Sequence, residues 1–421
     1  MTEFTLDRAA AERMDAEDPL GPLRERFVRD DPELIYLDGN SLGRLPHAAA
    51  ERIAEVVRTE WGRGLVRSWS HWIDYGRRIG DDIGRHLVGA GPGQVAVSDS
   101  TTVNLYKLAA AALDARPGRD VIVTDDDNFP TDRYVLQGLA DRHGLRVRML
   151  HADLDSGLGL ETLRDAIGPD TALVSLSHVA YRSGRLYDMA AINRLVHDAG
   201  ALVLWDLCHS IGAVPVDLDS SATDLAVGCT YKYLNGGPGS PAMLYVRRDL
   251  QESLRQPIWG WFSQTDQFAM GPEYAPAAGI DRFLTGTPPI ISMVAIEEGV
   301  RLLAEAGIGA LRAKGALLTE YLIALADARL APLGFTVATP RDPGSRGSHV
   351  SLHHDDAWRI SQALVEHAKV VPDYRTPDRL RLGPAPITTR FTDVWDAVDR
   401  LAELVADGTH ERFSTEPARV T

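Results

Sequence analysis

Lys232 stands between two tyrosines in "TYKYLNGGPGSPAML" (230–244), a run that carries no other charge and continues into a glycine-rich turn. A primary amine there can condense with an aldehyde, and can act as a base once released. Upstream, "ALVLWDLCHS" (201–210) reads as a buried strand that ends by presenting Asp206 and His209. Earlier still, "VAVSDSTTVNL" (95–105) ends a strand with Ser-Thr-Thr. Thr101 and Thr102 there can open a helix whose free N–H groups would hold a phosphate. "DDDNFPTDRY" (125–134) supplies an aromatic, Phe129, and a carboxylate, Asp132.

Each of these residues taken singly has a plainer reading. A lysine beside glycines is commonly a solvated loop residue, and Asp206 could be a cap. His209 could be a hydrogen-bonded core imidazole, and the two threonines an ordinary N-cap. Cys208 and Cys229 read as small core residues without a role. The set together offers an amine, a carboxylate on the neighbouring strand, a phosphate cradle and an aromatic plate. Pyridoxal 5'-phosphate (PLP) needs those four things. Lys232 would bond to its aldehyde, and Asp206 would keep its pyridine nitrogen protonated so that the ring accepts electrons. Phe129 would stack on the ring. No Gly-x-Gly-x-x-Gly follows the first strand and no phosphate-binding Gly-Lys-Ser/Thr loop occurs, so nicotinamide and nucleoside triphosphate chemistry have no support.

These residues need strands that end on one edge. Short apolar runs alternate with amphipathic stretches from about residue 95 to 247: "VAVSD", "DVIVTD", "LRVRML", "TALVSLS", "ALVLWD", "LAVGC" and "AMLYV". Helical patterns such as "VNLYKLAAAALDA" and "MAAINRLVHDAG" lie between them, the second stopping at Gly200. The alternation predicts an α/β fold, a mostly parallel seven-stranded sheet with helices on both faces. Ligands of such sheets bind beyond the carboxyl ends of the strands. After about residue 290 the pattern changes to long helices, then "FTVAT", "SHVSLHH", a helix near 356–368, "DRLRLG" and a last helix from about 391. That reads as a smaller α+β domain. The loop "ATPRDPGSRGSH" should be exposed, and the charged first 35 or so residues should lie across the outside.

The chain has 421 residues, with 44 % hydrophobic and 24 % charged, and a net charge of −15. This is the composition of a soluble globular protein of more than one domain. The negative charge argues against nucleic acid or an anionic membrane as partner. No apolar run reaches the roughly 20 residues of a spanning helix, and the acidic N-terminus lacks an apolar signal core. Two cysteines give neither a disulfide framework nor metal-ligand spacing. The simplest location is the cytoplasm.

Five blocks then become specific: "YLDGNSLGRLP" (36–46), "NFPTDRY" (128–134), "WDLCHSIGAVPVDL" (205–218), "YKYLNGGPGSPA" (231–242) and "GIDRFLTGTPPI" (279–290). In order and in content they resemble the signature blocks of the kynureninase family, fold-type-I PLP enzymes. The resemblance implies an N-terminal segment (1–60) associated with a small domain, a large PLP-binding domain (61–290) and the small C-terminal domain itself (291–421). It also implies a homodimer with shared active sites, and hydrolysis of L-kynurenine to anthranilate and L-alanine in tryptophan catabolism.

Residue by residue, Lys232 matches the covalently bonding lysine, Asp206 the partner of the pyridine nitrogen and His209 its neighbour. Thr101 and Thr102 match the phosphate cradle, Phe129 the stacking residue and Asp132 a second polar contact. Tyr231 matches a phosphate-binding tyrosine that is also a candidate acid. Trp261 and Thr287 match positions that the partner subunit contributes. Arg381 matches the arginine that grips the substrate's α-carboxylate, and Ser41 a serine close to the substrate. Trp69, with Trp72, would either wall the aromatic substrate or pack a core, and His71 between them is a candidate ring contact.

The chain departs from the family pattern at Ala180, where an asparagine is usual, and around Pro386 to Thr388. Thr287 replaces the asparagine of the animal type. Ala180 and the altered end block motivate an alternative, a relative acting on 3-hydroxykynurenine or another ring-substituted kynurenine. A non-catalytic PLP-binding protein is opposed by the intact Lys232, Asp206 and Arg381.

Overall fold

The computed structural model describes residues 4–416; the outermost residues of the expected N-terminal and C-terminal segments, 1–3 and 417–421, lie outside the described residues. All seven expected strands form one sheet: β1 (Val95–Val97), β2 (Val121–Asp125), β3 (Arg146–Leu150), β4 (Thr171–Ser177), β5 (Leu202–Asp206), β6 (Leu225–Gly228) and β7 (Met243–Val246). Their spatial order is β1-β7-β6-β5-β4-β2-β3. β7 runs antiparallel to both of its neighbours, β1 and β6, and the other adjacent pairs are parallel.

Alternate side chains of these strands feed two cores, as a period of two requires. Val121, Val123, Val174, Leu176, Val203 and Trp205 join one cluster, with Ile79, Ile192 and Met293 from the covering helices. Ile122, Leu173, Leu202, Leu204, Leu225 and Val227 join the other, under Leu105, Leu108, Leu136 and Leu139. Burial on both faces is why the strands read as continuous apolar runs rather than alternating ones.

A four-stranded antiparallel sheet follows, with β8 (Thr336–Val337), β9 (Val350–His353), β10 (Asp373–Arg375) and β11 (Arg379–Leu382) in the order β10-β11-β9-β8. The helices Ile308–Leu325, Ala357–His367 and Phe391–Ala406 pack around it in a third core.

Two loop expectations change. The N-terminal stretch does not simply lie across the outside. Its helix Arg8–Ala16 buries Ala11 in that third core, and the Asp15 carboxylate accepts N–H groups from Phe391 and Thr392. Ile35 and Leu37 enter the same core, and Ile35–Tyr36 pairs in parallel with Val370–Val371. The loop "ATPRDPGSRGSH" is exposed only in its middle, because Arg346, Gly347, Ser348 and His349 are fully buried. Arg346 folds inward to donate to the Thr319 hydroxyl and to the carbonyls of Pro340 and Arg341. No helix among the described residues is long and apolar enough to cross a membrane.

Candidate active site

β5 and β6 run side by side, with Asp206 opposite Val227. Beyond their ends the chain delivers Asp206, Cys208 and His209 from one strand and Tyr231 and Lys232 from the next. All five line one pocket together with Thr101, Thr102, Phe129, Thr131 and Asp132.

Local structure fixes each of them. Asp206 accepts the Cys208 N–H at 2.6 Å, which turns the chain directly after the strand. The Thr230 hydroxyl sits 2.7 Å from both the Ser240 hydroxyl and the Pro241 carbonyl, closing the glycine-rich turn behind Lys232. Ser100 caps the helix Thr101–Asp114 by accepting from Val103 N–H, and Thr101 and Thr102, which precede it in the first turn, line the pocket. Phe129 precedes Pro130, the first residue of the helix Pro130–His143. The Asn128 amide oxygen accepts Phe129 N–H at 2.9 Å and the Ser177 hydroxyl at 2.7 Å, so the ring is presented from an anchored turn.

The electrostatics follow from burial. Lys232 Nζ lies 3.2 Å from His209 Nε2. Burial, then the charge of Lys232, pushes the His209 imidazole well below its usual range, so it is neutral and can accept from the amine. Burial, then the charge of neighbouring Asp206, raises the Asp132 carboxyl well above its usual range. Its Oδ2 is buried and has no protein partner. Burial, with Cys229 and Cys208 beside it, raises Tyr231, which therefore stays a phenol able to donate.

PLP fits this pocket. The amine, the acid pair, the phosphate-ready helix terminus and the plate converge, and Asp132 Oδ2 is an orphaned buried oxygen that a ligand group would satisfy. No cluster of ligating side chains suited to a metal occurs among the described residues.

The N-terminal block reaches this site through backbone. Gly43 N–H donates to the Tyr231 carbonyl at 2.8 Å, and a Cβ at Gly43 would overlap the Lys232 carbonyl. Arg381 and Ser41 meet nearby, Nη2 to Oγ at 3.0 Å. Arg381 Nη1 also donates to the Tyr181 carbonyl at 2.5 Å, and the Tyr181 ring stands edge-on to Phe129 with centroids 5.5 Å apart.

Five further expected residues do not line this pocket. His71 Nε2 and Trp72 Nε1 both meet Glu60 Oε2, at 2.9 and 2.7 Å, in a cleft with Arg52, Tyr75 and Glu297. Trp69 packs on Trp72 and Phe262. Thr287 lines a separate cavity with Asp99, Phe262 and Phe268, and Trp261 stands edge-on to Phe262 and Phe268. Sequence reasoning passed over Thr131 and gave Cys208 no role, yet both line the Lys232 pocket. Pro130 as a helix opener was the signal for Thr131. Nothing in the sequence pointed to Cys208.

The fold and this pocket define a PLP-dependent enzyme of fold type I. Solved structures agree on the fold. A lysine mutant of the cystine C–S lyase C-DES, with glycine covalently linked to its PLP cofactor, superposes with a TM-score of 0.77 at 20 % identity, covering 88 % of this chain and 97 % of that one. An apo cysteine desulfurase from Thermococcus onnurineus NA1 gives 0.76 at 19 % identity, covering 97 % and 100 %. The chain belongs to the kynureninase family. It is 46 % identical over 400 residues to the kynureninase of Pseudomonas fluorescens, covering 93 % of this chain and 94 % of that one. It is 45 % identical over 406 residues to that of Burkholderia pseudomallei (strain K96243), covering 94 % and 95 %. The family model for the kynureninase C-terminal domain matches residues 311–401, and that for the DegT/DnrJ/EryC1/StrS aminotransferase family matches 86–220.

Proposed function

We infer that the chain is a kynureninase, a PLP-dependent hydrolase that cleaves L-kynurenine between Cβ and the γ-carbonyl to give anthranilate and L-alanine. The observation that carries this is Lys232 facing Asp206 and His209 at the sheet's carboxyl edge, in a chain that matches kynureninases over nearly its whole length. Action on a ring-substituted kynurenine is not favoured by those relatives.

PLP, when bound, supplies an electron sink that stabilises negative charge at the substrate's Cα. The residues of the chain do the rest. Arg381 holds the α-carboxylate and so orients the Cα–H bond toward Lys232. The Lys232 amine takes the α-proton, and His209 accepts a hydrogen bond from that amine. Asp206 would supply the negative charge that keeps the pyridine nitrogen protonated. The Tyr231 phenol donates a proton in the later steps, after water has added to the γ-carbonyl and anthranilate leaves. Thr101 and Thr102, at the helix start, would hold the phosphate.

The same reading includes a cytoplasmic homodimer divided into 1–60, 61–290 and 291–421. The exposed Trp261, Phe268 and Met270 give such a dimer apolar surface to cover. The shared core of Ala11, Ile35 and Leu37 with residues 318–404 supports grouping the N-terminal segment with the small domain.

The test is incubation of the PLP-loaded protein with L-kynurenine and product analysis. Equimolar anthranilate and alanine are expected. Substrate left intact by protein that demonstrably carries PLP would overturn the reading.

A further inference from the structure

Asp373 and Arg381 sit directly opposite each other on the antiparallel strands β10 and β11. Directly opposed residues project from the same face of a sheet and interact. Here they form an ion pair with both side chains only 1 % exposed. Asp373 Oδ2 also meets Arg375 at 2.9 Å and the Ser41 hydroxyl at 3.5 Å, while its Oδ1 is buried without a partner.

The guanidinium has five N–H donors in a rigid fork. With the Asn40 amide turned so that its oxygen faces Arg381, that oxygen accepts from Nε at 2.9 Å and from Nη2 at 3.2 Å. Tyr181 takes Nη1, and Asp373 and Ser41 take Nη2. One Nη1 hydrogen stays free. Ser41 Oγ accepts from Nη2 at 3.0 Å and donates toward Asp373 Oδ2 at 3.5 Å, so it shares Nη2 with Asp373. Asp373 grips through one oxygen only, so it does not saturate the fork as a two-oxygen pair would. It fixes the plane of the guanidinium and leaves one Nη1 hydrogen for a ligand.

We propose that Asp373 is the positioning residue for the substrate's α-carboxylate: it holds Arg381 in the orientation in which its free Nη1 hydrogen faces the ligand, and keeps Arg375 and Arg381 together by lying between them. This rests on the reading of Arg381 given above. Without that carboxylate the buried Arg381 and the part-exposed Arg375 repel, and Arg381 leaves its aligned place.

The experiment compares L-kynurenine with kynurenamine, the same molecule lacking only the α-carboxylate, on the PLP-loaded enzyme. Asp373→Asn keeps the volume and removes the charge. It should raise KM for kynurenine about tenfold or more with kcat changed less than about threefold, and shift the inhibition constant of kynurenamine less than about twofold. Arg375→Met leaves Asp373 to Arg381 and should retain the wild-type ratio of the two affinities. If Asp373→Asn does not accumulate as folded protein, Asp373→Glu carries the test, since a carboxylate displaced by one methylene should give the same selective loss in smaller degree. Equal weakening of both ligands, or an unchanged KM in a folded variant, overturns the proposal. Wild-type protein that forms no anthranilate would instead overturn the reading of the reaction.

Discussion

Lys232 Nζ and His209 Nε2 face each other across 3.2 Å, and the imidazole is neutral because it is buried beside that amine. A neutral ring can take a hydrogen bond from the lysine without competing for its proton. The lysine is therefore oriented by a partner that leaves it free to bond or to act as base.

Lys232→Ala should fold and bind PLP weakly, and lose turnover by roughly 10²–10⁴-fold, the usual range for removal of a positioned base. Borohydride treatment of the wild type should fix the cofactor on the peptide that contains Lys232. A variant with normal turnover, or cofactor fixed on another lysine, would contradict the assignment.

Asp206→Ala should bind PLP loosely and lose activity by about 10²–10³-fold, the scale of one lost electrostatic contact to developing charge, about 3–4 kcal/mol. Asp132 would then lose the neighbouring charge that helps raise it and titrate at lower pH. Equal turnover numbers for this variant and the wild type would refute the role.

The seven strands were legible because a strand buried on both faces is written as a short apolar run, and each was found within two residues of its place. The pocket was legible because its members follow directly from strand ends or helix starts. What stayed hidden depends on partners distant in the chain. Asp373 becomes notable only when β10 lies against β11. The burial of Arg346 to His349 depends on Thr319 and its helix receiving the arginine, while Pro, Gly and Ser signal only a turn. The helix Arg8–Ala16 looks like a charged surface segment, because only Ala10 and Ala11 of its nine residues are buried. His71 and Trp72 are tied to Glu60, eleven and twelve residues away, a pairing that no local pattern announces.

Stability should carry a pH dependence from Asp125. This carboxyl ends β2 and is 4 % exposed; burial first, then Asp126, raises it from 3.8 to about 7. Between those values the folded state holds the proton and the unfolded state has released it. Folding stability therefore falls as pH rises from about 4 to about 7, and the penalty is complete above that. Three units correspond to on the order of 4 kcal/mol. Asp125→Asn removes the titration, so its stability relative to wild type should be greater at pH 8 than at pH 5 in urea unfolding. The same relative stability at both pH values would show that Asp125 does not titrate in this range.

A shared active site can be tested by mixing chains. Trp261 is 39 % exposed and absent from the Lys232 pocket of its own chain, as a residue serving a partner would be. Lys232→Ala and Trp261→Ala chains, each inactive, should recover part of the activity when subunits exchange, approaching one good site per hybrid dimer. Mixtures that stay inactive while exchange is demonstrated would mean that each site is built from one chain.

The choice of ring substituent should turn on Thr287. It is exposed, on a cavity separate from its own chain's Lys232 pocket, and in the shared-site dimer it would face the partner's substrate. An asparagine there could offer an amide to a hydroxyl at the 3-position of the substrate ring. Threonine is shorter and presents a methyl group. A buried hydroxyl left without a partner costs roughly 1–3 kcal/mol. Since 1.4 kcal/mol is about a factor of ten, kynurenine should be preferred over 3-hydroxykynurenine by about tenfold or more in kcat/KM. Thr287→Asn should narrow or reverse that preference. His71, the other residue expected near the ring, is bonded to Glu60 and is not free to supply the missing partner without breaking that contact. Steady-state kinetics with both substrates decides the matter: equal kcat/KM values, or a preference for the hydroxylated substrate in the wild type, would refute the role of Thr287.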